Sequence, residues 1–316
     1  MKPDTLKNNR RGGLLRLSKI WNFTILILLG IFWGLSFSLA RMSTEGDFHP
    51  LAINYWMCIV SAICLGSFCF ITRKRVPLTK HYLRLYVLCG LLGSVIPGTL
   101  YFYAASEVSA GVLSITVATV PLTTFVGAII LRIERPSFGR ILGVVLGIIS
   151  IAFLVMPSTS LPKPSAAFWV LIMVLAAGCY ALENLVIAIK TPKNSDVFAV
   201  VTGMLTCATI MLTPIVWWTD AFSMLPWPLT RPGWAIIAMG AITAGAYAGF
   251  FYLVMRTGPV FASQCAYLVT LAGVLWGIII YGESHSIWVW FSLVIMIGAL
   301  ALVQPREQAS TDQRAG

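Results

Sequence analysis

The residues that could do chemistry in this chain lie where polar groups are scarce. Glu183 sits inside the apolar run Ala167–Ile189, whereas the other ten acidic residues stand in polar tails, loops or the ends of apolar runs. It falls about five residues past the middle of that run, or ~7.5 Å at the helical rise per residue. Tyr180, Glu183 and Asn184 are spaced i, i+3, i+4, which sets them on one face of a helix. If the surroundings are lipid, a carboxyl at that depth costs about 2.5–3.5 kcal/mol on insertion scales, and acids kept there by default serve a function. The chemistry available to it is binding an amine or carrying a coupling proton. The alternative is a structural glutamate, hydrogen-bonded or snorkelling towards a helix end.

Around it the apolar runs carry a few more hydrogen-bonding or aromatic groups. Trp33 shares a face with Gly30, Phe37 and Arg41, and Ser36 lies beside it; Tyr101, Tyr247, Gln264 and Tyr267 occur in later runs. A tryptophan there either stacks on a substrate or packs, and polar groups either line a cavity or hold helices together. Their joint placement favours a shared cavity with Glu183. Arg41 reads as an interfacial, snorkelling base, and Glu134 and Glu283 as anchors to bases at span ends. Nothing suggests catalysis: His49, His81 and His285 stand in loops or at run edges without metal-ligand spacing, and no phosphate-binding glycine loop is present. The chain is therefore read as no enzyme, with no cofactor and no metal.

These residues must be positioned by membrane helices. Of 316 residues 58% are hydrophobic and 10% charged, with mean hydropathy +0.86, too little charge to cover a water-facing surface. The net charge of +11 is carried by short segments between apolar runs, so it reflects membrane topology and not nucleic-acid binding. All seven cysteines lie inside apolar runs, as small buried residues would. Ten spans follow: Ile20–Ala40, Leu51–Thr72, Tyr82–Tyr103, Val108–Leu131, Phe138–Met156, Ala167–Ile189, Val197–Trp218, Trp234–Met255, Val260–Tyr281 and Ser286–Val303, each near the ~20 residues a bilayer needs. The first is too long for a signal peptide's core and is read as retained. With both termini cytoplasmic, only Arg41, Lys163 and Arg231 of the 22 Lys and Arg residues face outward, which fixes the orientation. Pro97 and Pro121 should kink spans three and four. The lines Gly139/Gly143/Gly147 and Gly245/Gly249 suit close helix packing, and the same spacing also suits a homodimer.

The stretch Phe102–Glu134 recurs without a gap as Phe251–Glu283, an offset of 149 residues that aligns Tyr103 with Tyr252, Ser114 with Ser263, Leu122 with Leu271 and Glu134 with Glu283. An odd number of spans per half turns the second half over. The expectation is an all-α integral membrane protein of ten helices in two five-helix repeats of inverted topology, 20–156 and 167–303, between cytoplasmic tails 1–19 and 304–316.

GIFWGLSFSLA in the first span, the Tyr103–Glu134 segment, its repeat ending at Glu283 and the 5+5 array resemble the EamA-type drug/metabolite transporter superfamily. The resemblance implies a secondary transporter in a bacterial inner membrane, an exporter of small metabolites such as amino acids or related compounds. A channel-like facilitator or a non-transporting membrane scaffold is the alternative. Only the substrate and the lipid bilayer are implied as partners. The second half departs from the pattern at Trp33–Gly34, carrying Ala181 and Leu182 instead.

Overall fold

A computed structural model describes residues 3–156, 161, 163–192, 194–257 and 264–303, and the side chains of these except residues 3–19, 251, 254 and 255. Every regular element among the described residues is helical. The helices are α1 (Pro3–Ser43), α2 (Pro50–Ile71), α3 (Lys80–Gly90), α4 (Ile96–Ala105), α5 (Ala110–Val117), α6 (Val120–Ile130), α7 (Phe138–Val155), α8 (Ala166–Lys190), α9 (Val197–Trp218), α10 (Arg231–Thr257), α11 (Cys265–Tyr281) and α12 (Ile287–Val303). In hydrocarbon every backbone N–H and C=O must be satisfied within its own segment, which leaves an apolar chain the helix.

Eight helical stretches are long and apolar enough to cross a bilayer, namely 20–43, 50–71, 80–105, 110–130, 138–155, 166–190, 197–218 and 231–250. The apolar helices α11 and α12 are shorter, at 17 residues each. The basic segment before Ile20 continues the helix of the first span.

Two spans are broken where the sequence places a proline. Between α3 and α4 the residues Leu91–Val95 form a π turn, with Ile96 N–H donating five residues back to Leu91. Pro97 follows at once and has no N–H to return to the preceding turn, so the wider turn absorbs the missing bond. Ala118 and Thr119 separate α5 from α6, immediately before Pro121.

Packing interleaves the two halves. α1 lies along α10 and α11, α8 along α4 and α6, and α2 against α9 and α10; α3 meets α9, α5 meets α11, and α7 meets α12. Small residues set the approach. Gly143 faces Val303 and the Ala299 carbonyl of α12, and Gly147 faces Leu122 of α6, while Gly139 and Gly245 have open space around them. Apolar side chains such as Phe70, at 85% exposed, and Phe138, at 84%, cover the outer surface, as lipid contact requires. All seven cysteines are free thiols.

Candidate functional site

α8 turns small residues, Ala176, Ala177 and Ala181, towards its neighbours, and on that side it also turns in Glu183, 4% exposed. Its Oε1 has no hydrogen-bond partner. The carboxyl lies directly on the backbone of Gly93, in the space a side chain at that position would take. Gly93 is close to the middle of its helical stretch, 13 residues from Lys80 and 12 from Ala105, whereas Glu183 stands 17 residues from Ala166 and seven from Lys190 in its own.

The π turn holding Gly93 is fastened from α2. Asn54, fully buried, donates from Nδ2 to the Ser94 carbonyl at 3.0 Å and to Thr99 Oγ1 at 3.3 Å. Thr99 Oγ1 in turn donates to the Val95 carbonyl. Gly98 gives Asn54 the room to reach in. Sequence reading passed over Asn54, Gly93, Ser94 and Thr99. The available signal was a polar residue inside span two together with the run Gly93-Ser94-Val95-Ile96-Pro97-Gly98.

Several expected site residues do converge. Tyr180 and Tyr247 stand close enough to Glu183 to feel its charge, and Tyr101 close enough to interact with Tyr180. Trp33 packs on Tyr247 with ring centroids 6.1 Å apart and edge-on to Phe250 at 6.3 Å. Phe37 meets Tyr101 at 6.2 Å. The result is a set of aromatic rings from α1, α4, α8 and α10 in the neighbourhood of one buried acid. Tyr267 packs on the core that contains Phe37 and Tyr101.

Others stand apart. Asn184 is exposed and reaches Thr124 of α6 at 3.4 Å, because the residue after a buried one points about 100° away on a helix. It does not share the buried face of Glu183, contrary to the spacing argument. Ser36 turns its hydroxyl back onto the Trp33 carbonyl of its own helix. Gln264 stands at the N-cap position of α11 without a capping bond, not at mid-depth. Two clefts lie elsewhere, one lined by Ile63, Gly66, Ser67, Phe70 and Ile71, the other by residues between His81 and Leu88 with Ile189 and Lys190.

A second constellation gathers at the end of the bundle where α1 finishes. Gly282 takes φ +61° and closes α11, which swings Glu283 back over the start of α5. Its Oε1 accepts from Ala110 N–H at 2.8 Å and from Arg41 Nη1 at 2.5 Å, and its Oε2 accepts from Gly111 N–H at 3.1 Å. A carboxylate there satisfies orphan donors of the first turn and meets the positive end of the helix dipole. Burial alone would raise the Glu283 carboxyl, but the His285 ring 3.4 Å away and the N–H groups of Gly111 and Ala110 outweigh it and hold it below its ordinary value. Arg41 also stacks over Tyr281, 4.4 Å from its centroid. It is therefore tied into the bundle and does not merely snorkel. Glu134 likewise pairs with Arg140, which stacks on Phe125.

A bundle with eight helical stretches long and apolar enough to cross a bilayer is the architecture of a multi-pass membrane protein. The chain belongs to the EamA-like transporter family, whose model matches residues 20–156 and again 167–304. It is similar to the uncharacterized transporter YoaV of Bacillus subtilis (strain 168), 21% identical over 278 residues that span 88% of this chain and 92% of that protein. It is also similar to the uncharacterized inner membrane transporter YedA of Escherichia coli (strain K12), 22% identical over 283 residues, 89% of this chain and 90% of that one. A shorter stretch of 105 residues is 30% identical to the WAT1-related protein At1g68170 of Arabidopsis thaliana, 33% of this chain and 30% of that protein. One solved crystal structure superposes with TM-score 0.61 at 15% identity, covering 88% of this chain and 95% of that chain, a likeness of fold alone. The protein is a membrane transporter of the drug/metabolite type.

Proposed function

We propose that the chain is a secondary transporter that exports small amine-bearing metabolites, amino acids or related compounds, by alternating access about Glu183. In this reading ten spans form two inverted five-span repeats, with both termini cytoplasmic in a bacterial inner membrane.

The arrangement of contacts supports the repeat. Replacing each span by the one five places on turns the contact of spans one and nine (α1, α11) into that of six and four (α8, α6), and one and eight (α1, α10) into six and three (α8, α4). Likewise two and eight (α2, α10) becomes seven and three (α9, α3), while the pairs two–seven, four–nine and five–ten map onto themselves.

The single observation that carries the reading is the buried Glu183 carboxyl, with an oxygen left unpartnered, at the seam between the halves. An acid that costs this much in lipid and leaves a buried oxygen without a partner is best accounted for by a ligand or a proton that comes and goes. Gradient-driven exchange then needs the two halves to rock about that point.

Counterflow in proteoliposomes, with a panel of amino acids, amines and sugars, tests it. Preloaded substrate should stimulate uptake, and Glu183→Gln should keep the protein folded while lowering exchange by about tenfold or more, as loss of an essential charged contact does. Parental exchange by Glu183→Gln at every pH removes the residue from the mechanism. Flux without counterflow stimulation would make the protein a channel-like facilitator.

A further inference from the structure

At Gly34 the space a side chain would take is filled by the Ala272 side chain and the backbone of Ala272 and Gly273, so that α1 closes onto α11. At Gly93 the atoms nearest to a side chain all belong to the end of one ionisable group, the Glu183 carboxyl of α8. Close helix packing accounts for the first glycine; the second makes room for a carboxyl.

The backbone under that carboxyl is also specially built. Gly93 is the central residue of the π turn Leu91–Val95, which bulges relative to an α-helix and is pinned by Asn54 through the Ser94 carbonyl. The turn is therefore a fixed platform and not a slack segment.

We infer that Gly93 is a positioning residue for Glu183: its bare backbone on the π turn is the seat that fixes the height and direction of the carboxyl in the membrane. The inference rests on the proposed role of Glu183. A methyl group at position 93 would collide first with the carboxyl carbon and both its oxygens. The side-chain end swings aside easily, so the helices stay in place while the reactive group leaves its position. Displacement of a functional group by about 1 Å costs on the order of a hundredfold in rate.

Four variants test this by counterflow, with folded yield read by size-exclusion chromatography. Gly93→Ala should fold and lose exchange by on the order of tenfold to a hundredfold. Adding Glu183→Asp, one methylene shorter, should restore much of that loss, although Glu183→Asp alone should impair the parent because the carboxyl draws back from its seat. Aspartate is thus better than glutamate in the Gly93→Ala background and worse in the parent. A Gly93 of general structural importance would give additive losses instead and would sink the inference. Should Gly93→Ala fail to fold, the double variant Gly93→Ala/Glu183→Ala must recover the folded yield, since the colliding group is gone; no recovery overturns the seat. Parental exchange by Gly93→Ala also overturns it. Parental exchange by Glu183→Gln defeats the underlying reading and is seen separately.

Discussion

The two buried carboxylates of the described spans and their ends show how environment divides labour between chemically identical groups. Glu283, its side chain 6% exposed, has both oxygens engaged, by Arg41 of α1 and by the Ala110 and Gly111 N–H groups of α5, with the His285 ring 3.4 Å away. Glu183 keeps an oxygen without a partner. The first holds helix ends together, and the second is the one the proposed exchange uses. The sign of a pH effect follows for Glu283. Its folded carboxyl lies below the ordinary value of 4.5, so it contributes stability that is fully present above that value and is lost as pH falls through the folded one. Thermal melts in detergent should show the parent losing stability on acidification through this range, while Glu283→Gln starts lower at neutral pH and changes less. Equal pH slopes for the two proteins would refute the assignment.

At the scale of elements, the breaks in spans three and four are consequences of single prolines that neighbouring helices repair. Pro97 was legible as a kink, but its form, a π turn pinned by Asn54, depends on a side chain 40 residues before the carbonyl it holds. Removing that donor takes away its hydrogen bonds to the Ser94 carbonyl and to Thr99 Oγ1, each worth about 0.5–1.5 kcal/mol. The bond of Ser150 Oγ to the Ser292 carbonyl at 2.7 Å, between α7 and α12, is an ordinary interhelical tie worth about 0.6 kcal/mol. Asn54→Leu should thus lower the melting temperature several times more than Ser150→Ala; the reverse order would show that the π turn does not need its clamp. The glycine line of α7 separates in the same manner. Gly143→Ala presses on the Ala299 carbonyl and should destabilise the protein, whereas Gly139→Ala meets nothing and should be neutral or slightly favourable, since alanine is the better helix former. Melting curves of the two variants decide it. Spacing alone gave both residues the same role.

For the molecule as a whole, interleaving sets how the two halves are held together. α1 is embedded between α10 and α11 and α8 between α4 and α6, so each half grips the other by its first span. In the proposed mechanism the halves would rock about the region where α1 meets α10 and α8 meets α4, which holds Trp33, Tyr247, Tyr101, Tyr180 and Glu183. The topology behind this predicts that reporter fusions at residue 1 and residue 316 report the same, cytoplasmic side, and that a reporter after Ser43 reports the opposite one. Termini on different sides would remove the inverted repeat and with it the pivot.

What the sequence determined by itself is whatever one helix can settle alone. Runs of apolar residues near bilayer length make helices because lipid leaves backbone polar groups no other partner. An acid inside such a run is conspicuous because nothing local offsets its cost. The tertiary structure decided what depends on two helices at once: that Gly93 carries the Glu183 carboxyl, that Asn54 clamps the π turn, that Arg41 is held by Glu283, and that Asn184 turns away from its neighbour's partners. Periodicity fixes the angle of a side chain about its own axis, but which helix lies at that angle is set by contacts between residues far apart in the chain, and those leave no period to read.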